Sequence, residues 1–173
     1  MVPHLQKIYE YSSERLRYAE GKNGALLAVT SLILFRLLDS KQNIGENIKI
    51  FYFMGLIFFV IAILICISAF VARLNVPKMI RKGYTRLPSK YNDFDNLLSS
   101  IRAAYYKPKD YAEKLAIKLG MPDHQLTPIE LDYVEHIIVN SKIVIYKFMC
   151  FRYATVCMLV GMICTVLVKF SGI

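Results

Sequence analysis

The sequence predicts an all-α integral membrane protein: three transmembrane helices, helical cytoplasmic extensions and a small helical cytoplasmic segment. Three observations carry that expectation. Apolar residues make up 55% of the 173-residue chain, and its mean hydropathy is +0.39. The 20% of residues that are charged gather in separate blocks instead of mixing along every helix. Finally, Phe51–Ala72 is a run of 22 residues without a charge. At 1.5 Å per residue it makes about 33 Å of helix, enough to cross a hydrocarbon core of about 30 Å. A backbone in lipid must satisfy its own hydrogen bonds, so an apolar helix is the natural spanning unit.

The other two spans are less plain. Tyr153–Val168 is an uncharged run of 16 closed by Arg152 and Lys169. It becomes long enough when both cationic ends snorkel to the headgroups. Gly24–Phe35 is interrupted by Arg36 and resembles a buried core helix, but a short polar loop joins it to Phe51–Ala72. A membrane hairpin explains that layout better, with Arg36 near the surface. The stretch before Gly24 carries too many charges for a signal peptide.

Orientation follows from the cations. Asp39–Lys49 holds two Lys and two acids, whereas Arg73–Arg152 holds 14 Lys/Arg against 8 Asp/Glu. The positive-inside bias places the second region, and with it the N-terminus, in the cytoplasm. The net charge of +9 is then topological and calls for no nucleic-acid partner. Along the chain, residues 1–22 form a cytoplasmic amphipathic helix and 23–72 a hairpin with spans at about 23–38 and 51–72. Residues 73–127 form a cytoplasmic linker with short helices, and 128–170 a long helix ending in a third span at about 151–169.

Within the linker, Phe94–Tyr106 reads as one short helix capped by Asn92 or Asp93, and Lys109–Leu119 as another stopped by Gly120. The first helix starts near Pro3 and continues into the first span unless Gly21 and Gly24 break it. Thr127-Pro128-Ile129-Glu130 is a capping box, with Thr as N-cap, Pro at N1 and Glu at N3. No further Pro occurs and no Gly until Gly161, which predicts a helix from Pro128 to about Val168.

Signatures of catalysis are missing: no phosphate loop, nucleophile elbow, HExxH or GxGxxG is present. His4, His124 and His136 lack ligand spacing, and no CxxC joins Cys66, Cys150, Cys157 and Cys164. Neither an enzyme nor a resident cofactor or metal is expected. Tyr105, Tyr106 and Tyr111 beside Lys107, Lys109 and Lys114 would suit a nucleotide base and phosphate. A packed helical surface with solvated lysines is the simpler reading. Charges at the bilayer edge, namely Glu20, Lys22, Arg36, Lys147 and Arg152, act either as anchors or as groups that bind an anion or change partners. Ser141 lies one to two turns deeper.

Two stretches resemble a known family. Glu14–Val29 (ERLRYAEGKNGALLAV) is similar to the AD-x-KA-x-x-LL pattern that opens the transmembrane effectors of bacterial Pycsar-type defence. His136–Ala154 (HIIVNSKIVIYKFMCFRYA) resembles that family's final helix, in which a Ser precedes a Lys by some six residues before an aromatic-rich start to the last span. An Arg or Lys beside a Pro after the second span fits Arg73–Arg81. Glu20 stands for the usual Asp, Asn23 for the usual Ala, and Leu87–Leu126 matches no family feature. The resemblance implies candidate ligand or gating positions at Glu20, Lys22, Gly24, Pro77, Arg81, Ser141 and Lys147.

It also implies a multi-pass effector of the bacterial inner membrane that stays quiet until infection. A cyclic nucleotide from a partner nucleotidyl cyclase, or a sensor partner, then triggers assembly or opening. Three spans cannot enclose a wet pore, so a breach requires a homo-oligomer. Gly24, Ala25 and Ala28 on the first span are small, and Ala154, Cys157, Gly161 and Cys164 form a narrow face on the third. Such faces let backbones approach closely, between copies or within one protomer. The alternative function is a non-catalytic membrane scaffold that holds a cytoplasmic partner; a lipid-modifying enzyme ranks last.

Overall fold

The computed structural model describes residues 1–39, 49–71 and 97–171. Of these, 87% are helical and none is in a strand. The helices are α1 (Val2–Asp39), α2 (Lys49–Phe70), α3 (Ser100–Ala103), α4 (Pro108–Lys118) and α5 (Pro128–Ser171). Three of them, α1, α2 and α5, are long and apolar enough to cross a membrane. The cationic stretch with Pro77 and Arg81, the expected caps Asn92 and Asp93, and most of the loop between the first two spans lie outside the described residues.

The chain divides into two compact units. One comprises Met1–Tyr18 with Ala72–Tyr146, the other Ala19–Val71 with Lys147–Ile173. Each unit draws on both α1 and α5.

In the first unit the core is Leu5, Leu97, Ala103, Tyr111, Ala112, Leu115, Val134, Ile137 and Ile138. Residues 134, 137 and 138 share one face of α5, while 111, 112 and 115 share one face of α4. Tyr9 meets Tyr133 edge to face at 6.1 Å and His136 at 6.2 Å. The Tyr111 hydroxyl donates to the Leu97 carbonyl at 2.8 Å, holding the start of the α3 segment on α4. Burial first, then the neighbouring Tyr106, pushes that phenol up to about 12. Tyr106, Tyr111 and Lys114 are thus packing residues: the Lys114 ammonium lies 4.9 Å from the Tyr106 ring centre.

Helix α3 is shorter than the expected Phe94–Tyr106. Pro108 drives Lys107 to extended backbone (φ −76°, ψ 149°) and so separates α3 from α4. Pro108 occupies the first turn of α4, where its missing N–H costs nothing. The end of α4 is a Schellman turn: Gly120 has φ +75°, its N–H donates to the Ile117 carbonyl, and the Met121 N–H to that of Ala116.

The start of α5 carries the Glu limb of the capping box, with the Thr127 N–H donating to Glu130 Oε2 at 3.0 Å. The Thr127 hydroxyl also bonds that carboxylate. Replacing Thr127 with Ala is expected to cost about 1 kcal/mol. Hydrogen exchange checks it: the amides of 128–132 open faster while those of the membrane half keep their rates.

In the second unit Gly21 and Gly24 lie inside an unbroken α1. Each glycine costs about 1 kcal/mol in a helix interior. Burial of Ala19, Asn23, Leu26 and Thr30 on one face offsets that cost. The buried positions of α2 are Gly55, Phe59, Ala62, Cys66 and Ala69, spaced four and three apart, which is the 3.5-residue rhythm of left-handed helix packing. Of these, Ala62 and Cys66 cluster with Leu26 of α1 and Ala154 of α5. Hydroxyls in this unit turn back to their own helices, Thr30 to the Leu26 carbonyl and Thr155 to that of Phe151. Helix ends borrow partners instead: the Tyr52 hydroxyl donates to the Leu37 carbonyl at 2.7 Å, in the last turn of α1.

Candidate functional site

The structure brings two of the expected site residues of α1, Glu20 and Lys22, against a stretch of α5 that holds a third, Lys147. Lys147 sits just below the apolar run, and its side chain is only 5% exposed. A buried ammonium is costly unless it is paired and hydrogen-bonded. Here its Nζ lies 3.1 Å from Glu20 Oε1 of α1 and donates to the Ala69 carbonyl of α2 at 2.9 Å. Ala69 is among the last four carbonyls of α2, which lack partners inside their helix and carry the negative end of its dipole. The Phe70 ring closes over the same ammonium, 5.6 Å from its centre. Lys147 therefore joins all three spanning helices.

Asn23 adds a second tie. Its Nδ2 donates to the carbonyls of Ala19, at 2.9 Å, and Lys147, at 3.1 Å. Both partners accept, which fixes the orientation of the amide. Its Oδ1 is buried with no hydrogen-bond partner among the described residues. Such an acceptor costs about 1–3 kcal/mol. Lys22 lies nearby on α1, its ammonium 5.4 Å from the Phe151 ring centre and 5.9 Å from that of Phe148. One turn further along α5, Cys150 Sγ lies 3.9 Å from Ser68 Oγ of α2.

The remaining candidates fall elsewhere. Ser141 is buried in the first unit, and Arg81 is outside the described residues. Ala154, Gly161 and Cys164 are buried, and Cys157 is half-buried. This small-residue face packs on α2 within the protomer: a Cβ on Gly161 would stand 3.2 Å from the Gly55 carbonyl and from the Phe59 ring. A Cβ on Gly24, also a candidate, would stand 3.9 Å from the Phe70 ring, an ordinary contact.

The first unit holds a second ionic centre that sequence reading gave only as a helix cap. Glu130 is 2% exposed, and His124 Nε2 lies 2.9 Å and 3.1 Å from its two oxygens. An ionised carboxylate only accepts, so Nε2 carries the proton. The Met1 amine is 3.4 Å away. Burial works against ionising Glu130. Bonds from the Thr127 N–H, His124, the Thr127 hydroxyl and the Met1 amine outweigh it and bring the carboxyl down to about 2. No group of three or more metal-ligating side chains occurs among the described residues.

The geometry is that of a membrane protein with charged ties at the ends of its spans. No curated protein and no solved structure matches the chain. The family model of the Pycsar effector protein domain, PycTM, matches residues 4–172, nearly the whole of it. That family is a transmembrane effector domain of antiphage defence, and its fold is not an enzymatic one. The chain, a multi-pass membrane protein, therefore belongs to the PycTM family of Pycsar effector protein domains.

Proposed function

We propose that this membrane effector answers a cyclic nucleotide second messenger by self-associating and breaching the bacterial inner membrane, so that the infected cell stops supporting phage. The observation that carries the proposal is the family match over residues 4–172 on a chain with three spanning-length helices. A breach needs more spans than one protomer offers. The surfaces available for contact between copies are the outward faces of the spans, with Leu32, Phe35, Ile57, Leu64, Ile163 and Phe170 among their exposed residues. Packing between such faces in lipid relies on close van der Waals fit instead of hydrophobic driving force. The first unit, on the cytoplasmic side, receives the nucleotide signal directly or through a sensor. Glu20, Lys22, Ser141 and Lys147 are the positions at which ligand or gating changes act, together with Arg81.

Two experiments test this. In cells that make the full chain together with a nucleotidyl cyclase, an impermeant DNA dye is expected to enter only when the cyclase is active. Exclusion of the dye under that condition, with the chain inserted and the nucleotide formed, would favour a non-catalytic scaffold. Topology is checked with reporters. A reporter active only in the cytoplasm is expected to work when fused after Gly120 and to fail when fused after Ser171. Activity at both positions would mean that α5 does not cross the membrane, and inactivity after Gly120 would contradict the cytoplasmic placement of the first unit.

A further inference from the structure

We propose that Lys147 is the latch of the membrane unit: charge-held by Glu20, it caps the C-terminal end of α2 and keeps that end docked on α5 until Glu20 is drawn away. The argument starts from asymmetric exposure. Lys147 is 5% exposed but Glu20 is 45% exposed, so solvent and ligands reach only the acidic limb. The ammonium stands between two negative centres, the Glu20 carboxylate and the Ala69 carbonyl. Removing the carboxylate leaves a buried cation with only the partial charge of a helix end, an arrangement that strongly favours letting the side chain move to water.

That motion takes α2 with it, because the Ala69 carbonyl then loses its donor. Asn23 holds the Lys147 backbone in place on α1, so the side chain is the limb that moves. Asn23 Oδ1, with no partner among the described residues, marks the same junction as imperfectly satisfied while it is closed. As a device for activation the latch rests on the membrane-effector function proposed above; as a restraint on α2 it does not.

Ser68 and Cys150, 3.9 Å apart beside the latch, supply the readout. The full chain carrying Ser68→Cys and Cys66→Ala is placed in lipid nanodiscs and oxidised with copper phenanthroline. Mass spectrometry follows the disulfide between positions 68 and 150. Glu20→Gln is expected to slow bridging at least fivefold and Lys147→Met at least tenfold. Arg17→Gln, which removes an exposed cation of α1, is expected to leave the rate unchanged. Glu20→Gln alters a half-exposed side chain without changing its size, so it keeps the test valid if Lys147→Met fails to insert. Equal rates with and without Glu20→Gln overturn the latch. Slower bridging in Glu20→Gln nanodiscs, with dye-loaded Glu20→Gln vesicles that stay tight to each 3′,5′-cyclic nucleotide added in turn, supports the latch and counts against membrane breach.

Discussion

Gly55→Leu will open the seam between α2 and α5 and cost about 3 kcal/mol, the upper end of the usual overpacking range. Even a Cβ at position 55 would stand 2.9 Å from Thr165 Cγ2 and 3.3 Å from the Gly161 carbonyl. The threonine methyl can rotate away, but the backbone carbonyl cannot. The remaining atoms of leucine have no space without moving a helix. Unfolding of the full chain in detergent micelles reads this as a midpoint lowered by several degrees. Ile57→Leu, at an exposed position of α2, serves as the control and is expected to leave the midpoint in place. Gly161→Leu should behave like Gly55→Leu, because a Cβ at 161 meets the Gly55 carbonyl and the Phe59 ring. A loss of oligomers in either variant therefore reports the protomer seam before any contact between copies.

Glu130→Ala will loosen the first unit by a similar amount, and wild-type stability will carry the signature of the same carboxylate against pH. Its pKa falls from 4.5 free to about 2 in the fold, and a depressed carboxylate stabilises the fold only while it is ionised. The contribution is complete above the free value and is lost as pH falls from about 5 through about 2. At 1.36 kcal/mol per unit the difference amounts to about 3 kcal/mol. The groups that set it are His124, Thr127 and the Met1 amine, all facing the carboxylate. The protection of amides 124–134 against hydrogen exchange, taken relative to the intrinsic rate at each pH, should fall across that window in the wild type and stay uniformly low in Glu130→Ala. Glu130→Gln should fall between them, since an amide oxygen still accepts from the Thr127 N–H but carries no charge. Unchanged protection in Glu130→Ala would remove this carboxylate from the anchoring of α5.

The spans and their order were legible because lipid imposes a one-dimensional rule: an apolar run of sufficient length must be a helix. The helix punctuation was equally local. Thr127-Pro128-Ile129-Glu130 sits at the start of α5, and Gly120 ends α4 in the left-handed backbone that glycine tolerates. Partners across helices were not legible. Glu20 and Lys147 stood out as charges at a bilayer edge, but nothing in their spacing says that they pair, or that Ala69 supplies the third group. His124 and Glu130 are six residues apart and meet only because the turn before α5 folds back. Asn23 looked like a departure from a family pattern, yet it ties α1 to α5. The face at 154, 157, 161 and 164 was visible as a stripe of small residues. Its partner depended on a single glycine, Gly55, hidden in an apolar run where no local rule distinguishes packing from lipid exposure.

The most direct test of membrane breach uses the purified full chain alone. It is reconstituted into vesicles of phosphatidylethanolamine and phosphatidylglycerol loaded with a self-quenching dye, and 3′,5′-cyclic nucleotides are added one at a time. The vesicles are expected to stay tight without nucleotide and to release dye rapidly with one of the panel, the release rising more steeply than in proportion to protein per vesicle because several copies must assemble. Vesicles that remain tight with every nucleotide, and also with the partner cyclase and sensor proteins supplied, would contradict it.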